Sequence, residues 1–327
     1  MSMTTHGCRL SVPVFAALIA IAAPATAQQF PSKVVEIVGP HSPGGSTDAG
    51  ARVLAKALQD KWKSPVRVVN ITGGNTVPAV DDVMRSSPDG HKVLVDLMSS
   101  SSLLSIVVPN LPYKVTDRTF VTLTMQTAMF LVVNADSPYR TMHDVVAAIK
   151  KDPRAITWTS LGGTGVIDLA FRKLFKHIGV DVAQTRAVAS KGGADAAVQV
   201  AGGHVMFGAG SYAANAPFIT SKKVRVLAVF ANQRSGLLPD VPSTTELGYP
   251  GIETVQWNGF SSAPNTPKNI VDIWHAAVKD VLADKEVVTA LGRGGNEPFV
   301  GDGAKMKAIV EDEMRVLAEV FGSPKTN

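Results

Sequence analysis

Short apolar runs alternate with amphipathic stretches along most of this chain, and the alternation predicts its elements. Val34-Val35-Glu36-Ile37-Val38 reads as a strand, and Pro43-Gly44-Gly45-Ser46-Thr47-Asp48 as the turn after it. Over 49–62 the apolar positions Val53, Leu54, Ala57 and Leu58 recur at i, i+1, i+4 and i+5, one buried stripe on a helix. Pro65 closes that unit. Val66-Arg67-Val68-Val69 predicts a second strand, Gly73-Gly74-Asn75 a flexible turn, and 77–85 a second helix. Pro88-Asp89-Gly90 signals a turn, and Lys92-Val93-Leu94-Val95-Asp96-Leu97 a third strand that runs into Ser99-Ser100-Ser101-Ser102. Strand, helix, strand, helix, strand is the order of a parallel α/β unit. In such open sheets the loops at the carboxyl ends of the strands line the ligand crevice. The loops after Val38, Val69 and Leu97 should therefore sit side by side.

From Phe120 the pattern repeats in kind. Thr122-Leu123-Thr124-Met125 and Phe130-Leu131-Val132-Val133 are extended apolar runs, and a helix over 142–150 is stopped by Pro153. Ile156-Thr157-Trp158-Thr159 predicts a strand, followed by Ser160-Leu161-Gly162-Gly163-Thr164-Gly165. The spacing of Val166, Ile167, Leu169, Ala170, Leu174 and Ile178 predicts the next helix, with Gly179 at its C-cap. Further on, a helix over 194–200 follows Ser190-Lys191-Gly192-Gly193, and 224–229 is a strand. Gln256-Trp257-Asn258-Gly259-Phe260 reads as an extended segment returning between lobes. The tail reads as two helices, over 268–283 and 303–320.

The two strand–glycine turn–helix units carry the candidate chemistry. A strand that turns through glycines into a helix leaves the first helical N–H groups pointing into one small space. Those donors and the positive end of the helix dipole favour an anion. Glycine lets a ligand approach the backbone, and Ser46, Thr47 and Asp48 are residue types suited to capping. One such turn alone is more often an ordinary capped turn. A second, at Ser160–Gly165 in the other half of the chain, would let two lobes hold an anion from both sides. An ionised Asp48 beside a bound anion would repel it, so this residue reads as an organiser of the loop, or as a contact through water.

Composition narrows the function. Arg9, the apolar stretch 10–23 and the Ala25-Thr26-Ala27 site form a secretory signal peptide over 1–27, so the mature chain is expected to begin near Gln28, exported and soluble. Cys8 is the sole cysteine and lies inside that leader, which excludes disulfides, a thiol nucleophile and thiolate metal sites from the mature protein. A chain of 327 residues can build two domains, each with its own core. The net charge of +5 comes from scattered Lys and Arg without a basic run or aromatic platform, so no nucleic-acid partner is expected. No G-x-S-x-G occurs, and the mature histidines (His41, His91, His143, His177, His204, His275) show no metal-binding spacing. Gly208-Ala209-Gly210-Ser211-Tyr212-Ala213 fits a dinucleotide pattern, but no acidic residue follows at the required distance. Neither a catalytic group, a metal nor a cofactor is expected.

Seven stretches in order carry a resemblance that covers the mature chain. They are Pro40-His41-Ser42-Pro43-Gly44-Gly45-Ser46-Thr47-Asp48, Pro88-Asp89-Gly90, Leu111-Pro112-Tyr113, Thr159-Ser160-Leu161-Gly162, Lys191-Gly192, Leu238-Pro239-Asp240-Val241-Pro242 and Ala263-Pro264-Asn265-Thr266-Pro267. With them the chain resembles the Bug (TctC-like) extracytoplasmic solute receptors of tripartite tricarboxylate transporters. The resemblance implies an α/β, two-lobed periplasmic binding protein, type II-like, each lobe a mostly parallel sheet flanked by helices and the two joined by crossing hinge strands. Lobe 1 would comprise 28–127 plus 254–327, and lobe 2 would comprise 128–253. It implies a monomer in the periplasm that closes on a small organic carboxylate and serves integral membrane permease subunits, without catalysis. Carried onto this sequence, the ligand-binding residues are His41, Pro43, Gly44, Gly45, Ser46, Thr47 and Asp48, then Ser99 and Ser100, then Ser160, Gly162, Gly163, Thr164, Gly165 and Ser211. Three departures lie near this pocket: His41 stands where the family usually has an aromatic such as Phe, Ser190 stands where a Tyr is frequent, and 70–76 replaces an Asn-Arg-Pro-Gly-type turn. An exported hydrolase or dehydrogenase using the same cleft, or a ligand sensor for a signalling receptor, are the alternatives.

Overall fold

The computed structural model describes residues 1–3, 7, 30–41, 43–108, 110–162, 165–190 and 192–321. The apolar leader and cleavage site expected over 10–27 lie outside the described residues, as do Ser42, Gly163, Thr164 and Lys191. No helix among the described residues is long and apolar enough to cross a membrane.

In chain order the first half gives β1 (Val35–Gly39), α1 (Ser46–Trp62), β2 (Val66–Asn70), α2 (Val77–Met84), β3 (Lys92–Asp96), α3 (Leu104–Val107), β4 (Thr119–Ala128) and β5 (Phe130–Asn134). There follow α4 (Met142–Lys151), β6 (Thr157–Ser160), α5 (Val166–His177), β7 (Arg186–Ala189), α6 (Gly193–Ala201), β8 (Gly208–Gly210), α7 (Tyr212–Thr220) and β9 (Val224–Val229). The chain then returns through β10 (Val255–Ser262), α8 (Lys268–Val281), α9 (Lys285–Arg293), β11 (Glu297–Asp302) and α10 (Gly303–Phe321).

The first lobe is a six-stranded sheet in the order β11-β4-β10-β3-β1-β2. Its β1 pairs in parallel with both β2 and β3, as the first strand–helix–strand pattern predicts. The period-2 alternation of β1 sends Val35 and Ile37 into one core with Leu54 and Leu58 of α1 and Trp274 and Val278 of α8. Val38 faces the other way, onto Val80 and Val83 of α2. The returning β10 is antiparallel to both β3 and β4. In the second lobe β5 is antiparallel to β8 and β9, and β6 is parallel to β7. A parallel bridge between Trp158 and Phe207 links these two sets. Four of the five strands there run one way, and β5, the strand that enters from the first lobe, runs against them. The core of that lobe gathers Trp158, Phe171, Phe175, Phe207 and Phe230.

Only Met129 separates β4 from β5. Its carbonyl accepts from Phe230 N at 2.8 Å, and the Phe230 carbonyl accepts from Thr254 N at 2.8 Å, one residue before β10. The outgoing and returning crossings are thus stitched side by side. A third link is α10, which packs Met306 and Val310 on the first lobe and places Leu317 among Met98, Leu103 and Leu169 from both lobes.

Two expectations need correction. The first helix starts at Ser46 rather than Ala49, because Gly45 occupies the N-cap and the three polar residues form the first turn. The tail contains three helices and a strand, not two helices. Its α9 is capped by Asp284, whose side chain accepts from Glu286 N. Its β11 contains Pro298 and Gly301, which read as loop residues, and pairs only along the sheet edge across a bulge, where proline is tolerated.

Candidate functional site

At the carboxyl end of β1 the chain turns into α1 through Gly44, whose φ of +89° requires glycine, and Gly45, which is extended. No side chain caps α1. Asp48, the third residue of the helix, reaches back past the cap instead. Its Oδ2 accepts from Gly44 N at 2.9 Å and Arg52 Nε at 3.0 Å, and its Oδ1 accepts from Asn70 Nδ2 at 2.9 Å. Burial pushes the Asp48 carboxyl up, but the donors from Arg52, Gly44 and Asn70 outweigh it and hold the group below its ordinary value. This carboxylate is committed to shaping the turn. The first N–H groups of α1 are left for an acceptor from outside the helix.

The second unit is built the same way. Gly165 is the N-cap of α5, no side chain caps the helix, and Gly162 has φ +85°. Asp168, again the third helical residue and fully buried, accepts from Ser160 Oγ at 2.5 Å, Leu161 N at 2.8 Å and Gly165 N at 3.1 Å. Ser160 Oγ also accepts from Gly162 N at 3.1 Å. A third helix, α6, begins on Gly192 with Asp195 at its third position. The motif Gly-x-x-Asp therefore opens three helices at the carboxyl ends of strands. Other helices close their own first turn: Thr141 Oγ1 accepts from Asp144 N in α4, and Asp284 does the same for Glu286 in α9.

The remaining predicted residues divide between the crevice and its supports. His41 Nε2 lies 3.2 Å from Ser99 Oγ, joining the loops after β1 and β3. Burial holds the His41 imidazole below its ordinary value. Pro43, Gly44 and Gly45 are exposed, Ser46 and Ser99 partly so, and Thr47 is buried with its Oγ1 accepting from Gln256 Nε2 at 3.2 Å. Ser100 is fully buried. It donates to Asp96 Oδ1 at 2.6 Å, and Asp96 is paired with the buried Arg118 at 2.9 Å, so this serine holds the loop from behind. Ser211 caps α7, its Oγ accepting from Ala214 N at 3.3 Å. Gly163 and Thr164 lie outside the described residues.

Contacts within the first lobe and between the lobes bring these parts together. Asn296 Nδ2 donates to Ser46 O at 2.9 Å, and Thr127 Oγ1 of β4 donates to Asn296 Oδ1 at 2.7 Å. The adjacent Gly295 lies so close to the start of α7 that a Cβ there would meet Ala213 N at 2.9 Å. On the other side, Met98 and Leu103, flanking the pocket serines, pack with Leu169 and Val166 of α5. The start of α5 therefore packs beside the Ser99 loop, which His41 joins to the turn that leads into α1. A hollow of about 420 Å³ lined by Lys33, Glu36, Arg67, Asp89 and Lys92 lies elsewhere, at the amino-terminal end of the first sheet. Its charges are all engaged, Lys33 with Asp89, Arg67 with Glu36, and Lys92 with Glu36 and with Asp82 beside the hollow. The sequence reading missed Asp168, Asn70 and Asn296. The first was detectable as the same Gly-x-x-Asp spacing as Gly45 and Asp48; the other two gain their roles only from the tertiary fold.

The chain matches the family described as "Tripartite tricarboxylate transporter family receptor" (TctC) over residues 50–321. It is 30% identical over 314 residues to Protein BugT of Bordetella pertussis, with 94% of each chain covered. Among solved structures, Rpa4515 of R. palustris with adipate superposes with a TM-score of 0.79 at 24% identity, covering 90% of this chain and 99% of that one. MatC from Rhodopseudomonas palustris with bound malate gives 0.74 at 23% identity, covering 89% and 99%. Members of this family are periplasmic binding receptors rather than enzymes, and the two-lobed fold is theirs. With its two uncapped helix starts, and on the extent of these matches, the chain belongs to the tripartite tricarboxylate transporter receptor (TctC/Bug) family of solute-binding proteins.

Proposed function

We propose that this protein captures a small organic carboxylate between its lobes and delivers it to the integral membrane subunits of a tripartite tricarboxylate-type transporter. One observation carries the reading. The turn into α1 and the start of α5 both adjoin the Ser99 loop, each helix lacks a side-chain cap, and each has its own aspartate already committed to the turn. Backbone N–H groups aimed into such a space stabilise an anion through charge-assisted hydrogen bonds. The malate and adipate named with two structural neighbours are carboxylates, which supports the same class. The binding set comprises His41, Pro43–Asp48 and Ser99, facing Ser160, Gly162–Gly165 and Ser211, with Ser100 supporting from behind. The working form is a periplasmic monomer, freed of residues 1–27, with 28–127 plus 254–327 closing against 128–253 about the crossing strands.

Thermal shift tests this directly. Malate, adipate, citrate, benzoate and glutamate are screened against glucose as the neutral solute. A ligand at a hundred times its Kd should add about 2.7 kcal/mol of stability by mass action. At least one acid should raise Tm. A rise with glucose and with none of the acids contradicts the carboxylate reading.

A further inference from the structure

His41 occupies a position that the anion cradle alone does not explain. Its backbone oxygen accepts from Asn70 Nδ2 at 3.0 Å, which ties its main chain to the end of β2. Its ring reaches Ser99 at 3.2 Å, so it bridges the ends of β1 and β3 across the floor of the crevice. The ring is half-buried.

The charged groups on the surrounding elements are already engaged. On α1, Asp48 and Arg52 pair at 3.0 Å. Behind the Ser99 loop, Asp96 pairs with Arg118 at 2.9 Å, and Glu313 of α10 is held by Ser102 and Trp257. On the facing lobe, Asp168 gathers Ser160 and the N–H groups of Leu161 and Gly165. The end of β2 presents Asn70, and the turn Gly74–Thr76 presents Asn75 and Thr76, none of them charged. Burial is the one cause that lowers the His41 imidazole, with no charged neighbour contributing. The first-lobe face is therefore a cradle of dipoles without a counter-cation, and one imidazole sits where it can become that cation.

We infer, resting on the carboxylate reading above, that His41 is a specificity-determining residue that takes a proton from solvent as the anion docks, so that the receptor binds a carboxylate and a proton together. An anion brought against a desolvated neutral imidazole favours its charged form. The proton enters on a ring nitrogen and no covalent bond changes. Once both ring nitrogens are donors, Nε2–H is directed at Ser99 Oγ. The serine then has to aim its own hydroxyl hydrogen elsewhere, and the ligand oxygen is the acceptor at hand. His41 and Ser99 thus form a two-residue relay in which the charged ring holds the serine hydroxyl toward the ligand.

The test is isothermal titration with whichever of the five panel acids gives the largest wild-type shift, in two buffers of different ionisation enthalpy, between about pH 6 and 8. The wild type should take up a substantial fraction of one proton per ligand near neutral pH, with Kd rising up to about tenfold per pH unit at the alkaline end. His41→Gln keeps a polar side chain that does not titrate. It should fold with an unchanged Tm and bind with little buffer dependence and a nearly flat pH profile. Zero uptake by the wild type overturns the inference, as does equal uptake by His41→Gln, and in both cases the carboxylate reading stands. If no panel acid binds the wild type at any pH, both fall together.

Discussion

At the scale of single residues the two aspartates, Asp48 and Asp168, define what the site is. Each lies at the third position of a helix that begins on glycine, and each spends its oxygens on the turn in front of it. A carboxylate pointing into the crevice would repel an anionic ligand; one folded back into the loop fixes the donors that attract it. Asp48→Ala separates the two roles. It leaves Gly44 N without its acceptor and takes one of two acceptors from Asn70 Nδ2, which keeps the His41 carbonyl, so urea denaturation should show a loss of about 1–3 kcal/mol. The loosened turn should also weaken carboxylate binding by about tenfold or more. If the variant instead bound its acid more tightly, Asp48 would be a repulsive neighbour of the ligand and not the organiser of the loop. The sequence made Asp48 visible because it adjoins the glycine pair. Asp168 has the same spacing from Gly165, but it stands among the apolar residues of α5, which drew the reading to the helix and away from its cap.

At the scale of elements, hydrophobic period proved a sound guide where an element is buried on a fixed face. The strand β2 and the helices α1, α4, α5 and α8 were legible for that reason, and β1 and β3 showed as short apolar runs because both of their faces are buried. Edge elements were not. In β11 the side chains are half-exposed and include Pro298, so no two-residue alternation marks the strand. The strap α10 was legible as a helix, but its connection to both lobes was not. Its Glu313 has a partly exposed stem and an enclosed carboxyl that accepts from Ser102 Oγ and, at 2.7 Å, from Trp257 Nε1.

Burial is the main cause that raises Glu313, from 4.5 to about 7, against the opposing pull of Ser102, Trp257 and Lys173. A carboxyl whose folded value lies above its unfolded one favours the fold while protonated. That contribution is complete below about pH 4.5 and disappears as pH rises through about 7. The full span corresponds to at most about 3 kcal/mol, less whatever the exposed stem allows water to screen. Glu313→Gln should remove this dependence, so its stability relative to wild type should rise between about pH 5 and 8 when measured by chemical denaturation. Parallel pH profiles for the two proteins would show that the carboxyl is not enclosed in solution.

At the scale of the whole molecule, the connections between the lobes decide how the site can work. The outgoing crossing at Met129 and the returning one at Thr254 are joined through Phe230 into one seam, the place where a hinge would lie, with α10 as a second tie between the lobes. The start of α1 is fastened to that seam by Asn296 and Thr127, and Gln256 of β10 donates to Thr47. The α1 donors that would meet the ligand are therefore anchored to the crossing strands and not carried on a free loop. Closure about that seam would bring the α5 start toward the α1 start, and an anion between them would bridge two positive helix ends. Two-lobedness was legible from the duplicated strand–turn–helix pattern, and the return between lobes from 256–260; the hydrogen bonds that stitch the crossings were not, because Phe230 joins Met129 and Thr254 only in the folded chain.

The central claim is that both helix starts grip one carboxylate ligand. Its most direct test is a crystal structure of the protein grown with the acid that gives the largest thermal shift. The account predicts ligand oxygens within hydrogen-bond distance, about 2.9 Å, of the backbone N–H groups of Ser46 or Thr47 on one side and of the Gly162–Gly165 turn on the other. An acid seated against one lobe only, or lodged in the Lys33–Lys92 hollow at the far end of the first sheet, would contradict it.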